Sequence, residues 1–70
     1  MNMLLLDSYR FGNKKAQIYQ IQENLFLIEY YVNDALVNKT THDDLLQAKI
    51  IADKYTDPEI GNKFLLNENA

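Results

Sequence analysis

The stretch AQIYQIQENLFLIEYYVNDALVNKTT, residues 16–41, decides the fold of this chain. Side chains alternate along a strand, so two-residue turns at Glu23-Asn24 and Asn33-Asp34 sort the whole stretch onto two faces. One face collects Tyr19, Ile21, Phe26, Ile28, Tyr30, Val32, Ala35 and Val37. The other collects Ala16, Ile18, Gln20, Leu25, Leu27, Glu29, Tyr31, Leu36 and Asn38. A meander covered by one helix needs a single apolar face, and this one has nearly two. The reading is an α+β domain: a three-stranded antiparallel β-meander over about 15–40, packed against one α-helix over about 42–56.

The strands are expected at 15–22, 25–32 and 35–40. The middle one is apolar at almost every position, the pattern of a central strand covered on both sides. Asn33-Asp34 suits a tight hairpin because Asn and Asp tolerate positive φ. Glu23-Asn24 is a poorer match, since Glu disfavours the first position of a type I′ turn. Its support is register alone, which puts Tyr19 and Ile21 beside Phe26 and Ile28. Gly12-Asn13 marks a turn ahead of the meander, and Met3 to Leu6 reads as an edge strand or a short anchor.

Thr41 is placed to cap the following helix, with Asp43 and Asp44 at the positive end of its dipole. At about 100° per residue, Leu45, Ala48, Ile51, Ala52 and Tyr55 share one face. Leu46 and Ile50 fall on the opposite side as a second small apolar patch. Asp57-Pro58 ends the helix, Phe64 to Leu66 form a brief apolar hook, and the last residues fray. The organisation is one domain: an N-terminal segment 1–13, the meander 14–41, the helix 42–56 and a tail 57–70.

Seventy residues make a core that is marginal on its own. There is no cysteine, so neither a disulfide nor a thiolate metal site supplements it, and self-association is the remaining route. The run Met3 to Leu6 is too short to span a membrane, and no basic segment precedes it as a secretory signal requires. The expected address is cytoplasmic. Abundant Asn, Lys and Ile, with no Trp or Cys, match AT-rich genomes, many phages among them.

No catalytic constellation, cofactor motif or phosphate loop stands out, and the expectation is a protein that is not an enzyme and takes no cofactor. His42 with Asp43 or Asp44 makes a weak, unselective metal set, and His42 reads instead as an exposed first-turn residue. Glu29 stands mid-strand with Ile18 and Asn38 expected on either side. Among Leu25, Leu27, Tyr31 and Leu36 it reads as a charge facing either solvent or a partner. These five residues, with Leu46 and Ile50, are the expected partner-binding set.

The alternative is nucleic-acid binding through Arg10, Lys14 and Lys15, interleaved with Tyr9 and Phe11. Seven basic residues against ten acidic ones, a net charge of -3, disfavour it. Over residues 16–56 the order of three strands and a helix resembles, in topology, the small sheet-plus-helix DNA-binding domains of plant transcription factors and integrase arms. Those domains read DNA with basic and aromatic residues on the exposed sheet face. The expected face here, with Gln20, Leu27, Glu29, Leu36 and Asn38, departs from that pattern. The functional expectation is a small protein-protein interaction module, a homodimer, of the kind a phage accessory or inhibitor protein would be. Residues Met3 to Phe11 or Phe64 to Leu66 folding over the second face would be an intramolecular way to use up the same surplus.

Overall fold

The computed structural model describes residues 3–57, and the expected tail and apolar hook lie outside the described residues. Four strands run in chain order: β1 (Leu4–Phe11), β2 (Lys14–Gln22), β3 (Leu25–Val32) and β4 (Ala35–His42). Each is antiparallel to the next, and one helix, α1 (Leu45–Thr56), follows. The meander backed by a helix is as the pattern implied. The added strand is β1, which pairs with β2 and extends the sheet instead of folding over its second face.

The turns follow from local chemistry. Asn33 and Asp34 both adopt positive φ, 53° and 65°, as a type I′ hairpin demands. Gly12 carries a φ of 62° between β1 and β2, where an L side chain would be strained. Glu23 and Asn24 show no positive φ.

Each of the three ladders contains one bulge, at Leu6, at Ile21 and at Val37. Gln22 pairs with Leu25 as a two-residue loop requires, but Gln20 then pairs with Phe26, leaving Ile21 as the extra residue. One extra residue moves every side chain beyond it to the other face. Ala16 and Ile18 therefore line the core with Phe26, Ile28 and Tyr30, and Tyr19 turns outward. The straight register had placed Tyr19 and Ile21 in the core and Ala16, Ile18 and Gln20 outside. At Val37 the same shift sets Asn38 beside Tyr30 and Lys39 beside Glu29.

Helix α1 lies over β2 and reaches β1, β3 and β4. Ala48 and Ala52 are fully buried, which lets the helix axis come close to the sheet, and Leu45 and Ile51 flank them. Tyr55 fixes the far end: its ring meets Tyr30 edge-on at 4.9 Å, and its hydroxyl donates to the Tyr31 carbonyl at 3.2 Å. The helix starts three residues later than the sequence reading placed it. Its N-cap is Asp44, whose Oδ1 accepts from the Leu46 amide at 3.0 Å, and not Thr41. Thr41 and His42 instead continue β4. The Tyr30 and Thr40 hydroxyls are 2.7 Å apart, and Thr40 lies 2.9 Å from His42 Nε2. His42 is thus a half-buried strand residue, not an exposed first-turn one. Every buried side-chain nitrogen or oxygen among the described residues has a partner.

Candidate interaction surface

The sheet has one face under the helix and one that no described element covers. Cross-strand pairing arranges the open face in rows. Arg10, Lys15, Tyr31 and Leu36 form one row, Ser8, Gln17, Glu29 and Lys39 the next, and Leu5, Tyr19, Leu27 and Thr41 a third. Leu25 continues it beside Gln22. The central side chains are half-buried by one another, whereas Leu5 and Leu36, towards the two edges, are 49% and 47% exposed.

Polar contacts hold this face in shape. The Tyr31 hydroxyl donates to Glu29 Oε1 at 2.7 Å, and the Tyr19 hydroxyl to Gln17 Oε1 at 3.0 Å. Lys15 Nζ sits 4.5 Å from the centre of the Tyr31 ring, a cation–π distance. The Glu29 carboxylate beside the hydroxyl, aided by desolvation, pushes the Tyr31 phenol up to about 12. At the turn, Asp34 accepts from Arg10 at 2.7 Å and lies 3.9 Å from Lys15. The guanidinium keeps the Asp34 carboxyl below its ordinary range. Both partners are largely exposed, so water and salt screen the pair.

The expected partner-binding residues divide. Leu25, Leu27, Glu29, Tyr31 and Leu36 all stand on the open face. Leu46 and Ile50, 66% and 40% exposed, stand on the outer side of the helix at the opposite surface of the molecule. The neighbours expected for Glu29 change with the bulges: Gln17 and Lys39 flank it, not Ile18 and Asn38. Sequence reasoning missed Gln17, Tyr19 and Lys39 as members of this face. The one signal for the shift was Glu23, a poor residue for the tight turn that a straight register needs.

The basic-aromatic residues are neighbours at one end of the sheet but are split between its two faces. Arg10 and Lys15 project onto the open face, while Tyr9, Phe11 and Lys14 belong to the helix side. Tyr9 packs against the core, and Lys14 Nζ lies 5.6 Å from the Tyr55 ring centre. Tyr9, Arg10 and Phe11 border a shallow groove of about 250 Å³ with Asp53, Thr56 and Asp57.

Among the described residues, no three His, Cys, Asp or Glu side chains gather as metal ligands, and no helix is long and apolar enough to cross a membrane. No protein-family model, curated protein or solved structure matches the chain.

Proposed function

We propose that this chain is a non-catalytic protein-interaction module that works through its open sheet face and self-associates there. The observation that carries the reading is the composition of that face. Leu5, Leu25, Leu27, Leu36 and the two tyrosines surround a narrow polar row, and no described element lies over them. Leucines and amphipathic tyrosines are common at interface centres, and the charges that share the face, Arg10, Lys15, Glu29 and Lys39, are of both signs. A small cysteine-free core also has stability to gain from a second copy.

Sedimentation over a micromolar concentration series tests this. The reading expects reversible dimer formation, abolished by Leu27→Asp with the helical circular dichroism kept. A clean monomer at high micromolar concentration overturns self-association. Loss of the whole fold in Leu27→Asp would make the face part of the monomer's own core.

A second reading has one observation in its favour. With the bulges in place, Arg10, Lys15 and Lys39 share the open face with Tyr19 and Tyr31, closer to a nucleic-acid-reading sheet than the straight register allowed. Glu29 at the centre and Asp34 on Arg10 oppose it, as does the overall charge of -3. It expects retention on DNA or RNA at low salt that falls steeply as salt rises. Absence of retention at low salt disposes of it.

A further inference from the structure

Resting on the self-association reading above, we infer that two copies meet sheet face to sheet face, with the helices outermost and both sheet edges left out of the contact. The edges carry the argument. A partner strand needs an unbroken row of amide and carbonyl groups, and β1 and β4 interrupt theirs in the same way. In β1 the bulge at Leu6 is followed by Asp7, whose Oδ1 accepts from the Ser8 amide at 2.9 Å. In β4 the bulge at Val37 is followed by Asn38, whose Oδ1 accepts from the Lys39 amide at 2.9 Å. A bulge breaks the spacing a new strand would read, and the Asx side chain occupies a donor that strand would use. Bulges and charged side chains are how natural sheets block edge-to-edge pairing.

The face satisfies what the edges refuse. Four paired strands of eight or nine residues make a face of roughly 27 × 19 Å, about 500 Å² per copy, the lower end of what specific interfaces use and suited to a reversible dimer. Charge permits two copies to meet there. The chain carries -3, yet the open face sets Arg10, Lys15 and Lys39 against Glu29 and Asp34, so it is nearly neutral. Like-charge repulsion between copies is least across this surface. The helix patch offers only Leu46 and Ile50. A sheet-to-helix contact would also be heterologous and would not close as a dimer.

The chain has no cysteine, so a single spin label on Lys54→Cys, exposed on the helix, reports the arrangement in the full-length protein. Face-to-face stacking separates the two helices by three layer spacings of about 10 Å, so the expected label distance is roughly 30 Å or more. Antiparallel pairing through an edge puts both helices on one side of a continuous sheet. They would then lie about 14 Å apart through β1, or about 24 Å through β4. Sedimentation accompanies the distance measurement. A dimer with the longer distance supports the inference. A dimer at 14–24 Å overturns it while leaving self-association standing, as do assemblies that grow past the dimer. A monomer overturns both.

Discussion

The bulge at Ile21 makes a prediction that runs opposite to the straight reading of the same sequence, and alanine at two adjacent positions decides it. Ile18 is fully buried between Ile28 and the helix, whereas Tyr19 stands on the open face with its hydroxyl on Gln17. Removing a fully buried Ile side chain costs about 2–5 kcal/mol, transfer and cavity together. Removing a half-exposed Tyr leaves no cavity and forfeits one net hydrogen bond and some packing, about 1–1.5 kcal/mol. A domain of this size is worth roughly 4–10 kcal/mol in total, so Ile18→Ala should remove about half its stability. The assay is urea unfolding followed by circular dichroism at 222 nm, at a concentration where the chain is monomeric. With an m-value near 1 kcal/mol/M, the Ile18→Ala midpoint should fall by roughly 2 M or more, and Tyr19→Ala by about half that or less. The straight register demands the reverse order. Tyr19→Ala costing more than Ile18→Ala would refute the bulge and every assignment on the open face that depends on it.

Three further outcomes follow from single contacts. Asp44→Ala should cost about 1 kcal/mol in the same unfolding assay by leaving a first-turn amide without its acceptor, while Thr41→Ala should not show a cap-sized loss. The Tyr31 phenol is raised to about 12 chiefly by its bond to Glu29, so Glu29→Gln should move Tyr31 back towards the ordinary value of 10 and lower Tyr19, which Glu29 also raises, read from tyrosinate absorbance. Because the folded-state value is the higher one, this bond contributes stability below about 10 and loses it as pH climbs through about 12. Asp34 has the opposite sign: its folded-state value is depressed, so its contribution is present above the ordinary 3.8 and is lost as pH falls below it. In Arg10→Gln the carboxyl resonance of Asp34 should titrate closer to 3.8; an unchanged midpoint would mean that the guanidinium does not set it.

Much of the fold was legible because it rests on periodicity. The apolar alternation of β3, the Asn33-Asp34 turn with both residues at positive φ, and the Ala48–Ala52–Tyr55 helix stripe all follow from rules local to a few residues. The bulges left little trace beyond Glu23, the poor turn residue next to the one at Ile21. A bulge is chosen by how the whole sheet twists and closes on the helix, and Ile21 looks like any other β-branched strand residue. The cap was missed for a related reason. Thr41, Asp43 and Asp44 are all competent N-caps, and the contest is settled by Thr40 and His42 finding partners beside Tyr30, which keeps the strand going to His42. Residues 4–11 carry strand-forming side chains, but Asp7, Ser8 and Arg10 interrupt the apolar run, so their pairing with β2 left little trace in the pattern.

The same bulges change what the open face says about function. In a straight register Glu29 would sit between Ile18 and Asn38, a carboxylate in an apolar setting that would need a cation from a partner. In the bulged sheet it lies between Gln17 and Lys39 and accepts from Tyr31, so the chain itself supplies much of what the charge requires. A face whose central carboxylate already has a donor and a neighbouring cation in the chain can be covered by another surface at less cost, and its leucines and tyrosines then supply the burial. That balance favours the proposed protein contact over a phosphate backbone, which would require the cations that Asp34 and Glu29 now offset. The refuting case is concrete: if Lys39→Ala or Gln17→Ala left dimer affinity unchanged while Glu29→Gln raised it tenfold or more, Glu29 would be an uncompensated charge that opposes assembly.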